Sequence, residues 1–203
     1  MPNLIIFQEF IWKINKFYGK FVTISKIFNL KCVIFLVLNN KIMNTVKEIK
    51  TANVHALADF ILATKGPMSH LKLQKLLYYC EAYHLAYFDV SLISEDFEAW
   101  VHGPVCKEVF NVLKNKSLLH SDIGFDGDYD TKVIRDTLTS DQFALISDVI
   151  DNLSTWTGIQ LEAATHAELP WIEARTGLGS GDKSSRIISK DMMKDFYKKE
   201  LNG

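Results

Sequence analysis

From Asn53 onward, apolar positions recur at helical spacing through most of the chain. Val54, Leu57, Ala58, Ile61 and Leu62 line one face of a first helix, which Asn53 can cap and Gly66-Pro67 ends. Ser69 can cap the next and longest helix, running to about Phe88. Its stripe is Leu73, Leu76, Leu77, Cys80 and His84, with Tyr78, Tyr79, Tyr83 and Tyr87 around it. A helix apolar or aromatic on so much of its circumference belongs at the centre of a fold. Phe97–Val101 alternates like a brief strand. Gly103-Pro104 then punctuates the chain, and Pro104 suits the first turn of a helix reaching about Asn115, with Val105, Val109, Val112 and Leu113 inward.

Residues 117–137 are the least regular, and Ile123–Asp128 reads as a loop or a turn between weak strands. Thr139-x-x-Gln142 is a capping box opening a helix with Phe143, Ile146, Val149, Ile150 and Leu153. Thr157-x-x-Gln160 is a second box, before Leu161 and Ala164. Pro170 restarts the chain for Trp171–Arg175, Gly177–Asp182 reads as a mobile loop, and Ser189 caps a last helix with Met192, Met193, Phe196 and Tyr197. The pattern predicts a mainly α fold: one compact domain of six or seven helices, with at most a minor short hairpin.

Composition divides this picture in two. The 203 residues carry a net charge of −1, yet residues 1–42 hold six Lys and one acid, and residues 43–203 stand at −6. The first segment lacks Ala, Asp, Arg and His, holds six of the 13 Phe, and is dominated by Ile, Phe, Asn and Lys, whose codons are A/T-rich. Lys at 13, 16, 20, 26 and 31 interrupts every window long enough to span a membrane. The one compact apolar block, Cys32–Leu38, lies too late for a secretory signal. The segment reads first as translated upstream DNA before a start at Met43, and second as a basic amphipathic helix facing a membrane or partner. The expected division is therefore an atypical extension over 1–42 and a helical domain over 43–203, with no membrane role for the latter. Three Cys without a CxxC fit a reducing cytoplasm.

Candidate chemistry is sparse. Gly177-x-Gly179-x-Gly181 lacks the Gly-Lys-Ser/Thr ending of a phosphate loop and follows a helix rather than a strand. Cys80-x-x-x-His84 and His102-x-x-x-Cys106 are weak candidates for a Cys₂His₂ zinc site, but Gly103-Pro104 breaks the second pair's helix and a core histidine is the simpler reading of the first. His166 with Cys106 could serve a hydrolase; the simpler alternative is a helix end with Trp171 packed inward. No metal or cofactor is expected. Direct nucleic-acid binding is not expected either, because basic residues are interleaved with acids.

Several segments together resemble one family. They are Leu71-Lys72-Leu73-Gln74-Lys75-Leu76-Leu77-Tyr78-Tyr79, then Glu81-Ala82-Tyr83-His84-Leu85, then Glu98-Ala99-Trp100-Val101-His102-Gly103-Pro104-Val105, then Thr165-His166-x-Glu168-x-Pro170-Trp171. In this order they resemble the Panacea domain of SocA-like and GepA-like phage-associated proteins. The resemblance implies a compact, cytoplasmic, non-enzymatic antitoxin that neutralises a cognate protein toxin by direct contact. One branch of the family instead delivers a toxin to a Clp-type protease. The family carries no catalytic residues to transfer, so Lys72, Gln74, Lys75, Tyr78, Tyr79, Trp100, His102, Gly103, Pro104, Thr165, His166, Pro170 and Trp171 stand as motif or protein-binding candidates. The central helix has more Tyr than one core face uses. Some should be exposed or line a groove, unless all cover neighbouring helices with their hydroxyls at the rim.

Overall fold

A computed structural model describes residues 48–115, 120–127 and 132–202. The readings made for residues 1–42, and parts of those for 117–131, lie outside these residues.

Asn53 accepts from the N–H groups of His55 and Ala56 and starts α1 (Val54–Lys65), which stops at Gly66. Ser69 caps α2 (His70–Phe88) by accepting from Lys72 N, and Asp89 ends it in the left-handed conformation. Between them lies β1 (Met68–Ser69). It pairs antiparallel with β4 (Asp122–Ile123), in the stretch read from sequence as a loop or weak strands. α3 (Lys107–Leu113) and α4 (Lys132–Thr137) are short. α5 (Ser140–Leu153) and α6 (Gly158–His166) each open on a complete capping box, at Thr139/Gln142 and Thr157/Gln160. α7 (Leu169–Ala174) carries Pro170 in its first turn, and α8 (Lys190–Asn202) closes the chain.

The described residues thus form a mainly α fold with eight helices and two small antiparallel sheets. α2 is its axis. It packs against α1, α5, α6, α8, strand β1 and the strand Gly103–Cys106, and nearly all of its residues are buried. That explains the absence of a clean polar stripe in its sequence: no face of α2 meets water. No helix among the described residues is long and apolar enough to cross a membrane.

The stretch around Gly103 differs from the sequence expectation. Gly103-Pro104 does not enter a helix. β2 (Phe97–Trp100) and β3 (Gly103–Cys106) form a hairpin pairing Trp100 with Gly103 and Phe97 with Cys106, and the helix begins only at Lys107. Val101 and His102 keep negative φ, so Gly103 takes the left-handed twist at φ +87°. Proline is accepted in a strand where its missing N–H faces an edge, which is where Pro104 lies. Val105 and Val109 are buried as expected, whereas Val112 is exposed.

The Tyr residues also differ from one expectation. Tyr78, Tyr79 and Tyr83 are wholly buried and stack edge-on with Tyr197 of α8; only Tyr87 reaches partial exposure. They line no groove, and their hydroxyls sit in the core rather than at its rim.

Candidate functional site

A buried helix can carry polar residues only if each finds a partner. α2 carries His70, Gln74, Lys75, Glu81 and His84, all buried. Their partners explain much of the motif.

The outer edge of β3 faces α2, and two α2 side chains stand where a third strand would be. Gln74 Oε1 accepts from Cys106 N at 2.8 Å, and Gln74 Nε2 donates to Cys106 O at 3.3 Å. Lys75 Nζ donates to Pro104 O at 2.9 Å. Pro104 removes the backbone N–H that would otherwise face this edge without a strand to receive it. Gly103 lies so close to α2 that a Cβ there would be 2.7 Å from Lys75 Cε and 2.8 Å from Thr165 Oγ1. Gln74, Lys75, Gly103, Pro104 and Thr165 therefore form one packed unit.

The opposite edge is closed in the same manner. Residues 186–188 run alongside β2, with Ala99 N donating to Arg186 O and Ile188 N donating to Phe97 O. Trp171 Nε1 donates to Trp100 O at 3.0 Å, and Arg175 Nη1 to Ala99 O at 2.9 Å. Arg175 Nη2 also donates to the carbonyls of Gly179 and Asp182, while Asp182 Oδ2 accepts from Gly179 N. The glycine-rich 177–182 segment is thus pinned from inside by Arg175, where its composition alone had suggested a mobile loop. Pro170 is buried, and Trp100 Nε1 donates to Glu98 Oε2.

Two buried acids were present in the motifs but had no assigned role. Glu81 Oε2 accepts from Leu92 N and Ile93 N, and its Oε1 meets Lys190 Nζ at 3.0 Å. Burial raises its pKa, opposed by Lys190 and the two amides. Glu168 accepts from Tyr79 OH at 3.0 Å and Tyr197 OH at 2.5 Å, with no cation in contact. Burial pushes its carboxyl up to about 8. Desolvation likewise brings Lys75 down to about 7, partly countered by Glu162. For Glu81 the available signal was an acid on a helix otherwise lined with aromatics.

The zinc candidates have other occupations. His84 Nδ1 donates to Val90 O, and its Nε2 accepts from Gln142 Nε2, so both ring nitrogens are used. His102 is exposed and its Nδ1 meets Glu162 Oε1 at 2.9 Å. Cys80 is enclosed in the core, and burial raises its thiol pKa strongly. Cys106 is pushed up to about 12, chiefly by burial, and its Sγ contacts Glu108. Among the described residues no three His, Cys, Asp or Glu are placed to hold a metal ion. A thiol held protonated is also a poor nucleophile. His166 stacks on Trp171 at 4.0 Å, and burial lowers its pKa.

Thus Gln74, Lys75, Tyr78, Tyr79, Gly103, Pro104, Thr165 and Pro170 are buried, and Lys72, Trp100, His166 and Trp171 are partly covered. Lys72 Nζ donates to Ser154 O. His102 alone of these candidates is open to solvent.

The ordered set spanning α2, the hairpin and α6–α7 coincides with one family match. Residues 73–172 match the model of the antitoxin SocA-like family, Panacea domain. This segment is a Panacea domain. Among curated proteins and solved structures nothing matches the chain. In this Panacea domain the motif residues Gln74, Lys75 and Trp171 bond the backbone of the hairpin, and Lys75 and Thr165 pack against its turn at Gly103.

Proposed function

We propose that this Panacea domain is the scaffold of an antitoxin that neutralises a protein toxin by stoichiometric binding rather than by catalysis. The match of residues 73–172 to the antitoxin SocA-like family carries this reading. The chemistry of the core supports it: the polar motif residues serve the hairpin backbone, and Cys106 is a protonated, buried thiol. The working unit is residues 43–203, acting in the cytoplasm as a phage- or prophage-associated antitoxin.

The test is co-expression with the product of the adjoining reading frame. Rescue of growth and a co-purifying one-to-one complex are expected. Rescue with no complex, while the toxin level stays unchanged, would count against binding. Rescue that depends on a Clp-type protease and shortens the toxin's lifetime would replace neutralisation by delivery.

A further inference from the structure

Residues 136–174 contain seven acids and no Lys or Arg. The negative balance of residues 43–203 is therefore concentrated in the segment from the end of α4 through α7. Within it, α6 and α7 also expose apolar side chains that nothing in the fold covers. Leu161 and Thr165 turn inward, while Ile159, Ala163 and Ala167 lie on the outward side at helical spacing. Ile159 is 69% exposed. On α7, Leu169 and Ile172 are 43% and 45% exposed. Having apolar residues on both faces marks α6 as a helix with one partner missing. The charged groups on these helices that reach the surface are Glu162, held beside His102, and the exposed Glu173. The hairpin that carries His102 is fixed from both edges, so this face is presented on a rigid support.

The geometry points to α6–α7, with the His102 turn at its margin, as the toxin-docking face, taking a cationic amphipathic segment of the toxin. This rests on the neutraliser reading above. The partner's apolar side chains would cover Ile159, Ala163, Leu169 and Ile172, and its Lys or Arg residues would meet Glu162 and Glu173. The chemical argument is complementarity: α6 and α7 themselves carry Glu162 and Glu173 and no Lys or Arg, with Arg186 reaching only the last carbonyls of α7, and such a face favours a positive partner and disfavours an acidic one. The exposed apolar residues supply the area that becomes desolvated.

The experiment uses the full chain with the purified product of the adjoining reading frame. Hydrogen exchange of the complex should show protection over 157–174, and association should slow as salt rises. Ile159→Asp and Ile172→Asp should each weaken binding at least tenfold, and Glu173→Lys severalfold, with thermal midpoints close to wild type because all three sites are exposed. Val112→Asp, at an exposed apolar residue of α3, should bind normally. A complex that protects other elements, with the α6–α7 variants binding like wild type, overturns the docking face and leaves neutralisation standing. A contacted toxin segment that is acidic also overturns it. Absence of any complex overturns the neutraliser reading, and the docking face falls with it.

Discussion

The two halves of α2 solve the same problem with opposite charges. In the N-terminal half, Gln74 and Lys75 act as a missing strand for β3, bonding Cys106 and Pro104. In the C-terminal half, Glu81 receives the amides of Leu92 and Ile93, while His84 and Gln142 hold Val90 and Lys50. In both places a buried helix completes backbone groups on a side that no strand covers. The difference lies in compensation. Glu81 faces Lys190, which offsets its desolvation. Lys75 has one carbonyl acceptor and no acid in contact, and Glu168, at the start of α7, has two tyrosines and no cation. A paired buried ion can stay charged; an unpaired one shifts toward neutrality.

The sharpest way to break the N-terminal unit is Gly103→Ala. Its Cβ would collide with Lys75 and Thr165, at a φ that L residues disfavour. Overpacking and left-handed backbone together cost on the order of 3–5 kcal/mol. A denaturant midpoint close to wild type would show that the hairpin is not locked onto α2. Glu81→Ala tests the other half. Removing one partner of a buried pair costs roughly 3 kcal/mol or more, and here it also strands two amides.

The contrast in compensation is read by pH. Glu168 stands at about 8 when folded against an ordinary 4.5, so its contribution is complete below 4.5 and is lost as pH rises through 8. Glu168→Gln should flatten the fall in stability between pH 5 and 8. Lys75 has the opposite sign: at about 7 folded against 10.5, its contribution is complete above 10.5 and is lost as pH falls through 7. Lys75→Met should cost about 1 kcal/mol at pH 9, where one hydrogen bond is missing, and its deficit should shrink at pH 6. Parallel curves for wild type and both variants would mean that neither group is desolvated as described. The smallest effect belongs to His102→Ala. His102 is exposed and its pair with Glu162 is a surface one, so thermal stability should change by less than about 0.5 kcal/mol.

Much of the helical framework was legible in advance because caps act locally. Asn53, Ser69, Thr139, Thr157 and Ser189 each reach an amide two or three residues away. Pro104 was ambiguous, since one local rule places it in a helix's first turn and another on a strand edge. Its setting beside Lys75, 29 residues earlier in the chain, decided between them. The tyrosines of α2 misled for a related reason. A surplus of aromatics on one helix suggests exposure only until Tyr197 arrives from α8 to fill the same core. The Gly177–Asp182 loop looked mobile because nothing within it shows that Arg175 holds its carbonyls.

The sequence by itself determined where helices begin and which ordered motifs identify the Panacea domain, because capping and periodicity depend on neighbours a few residues apart. Only the tertiary structure decided that those motifs are backbone ligands, that Lys75 and Glu168 are unpaired while Glu81 is paired, and which apolar residues stay uncovered. Desolvation and pairing depend on residues far apart in the chain, and no local pattern encodes them.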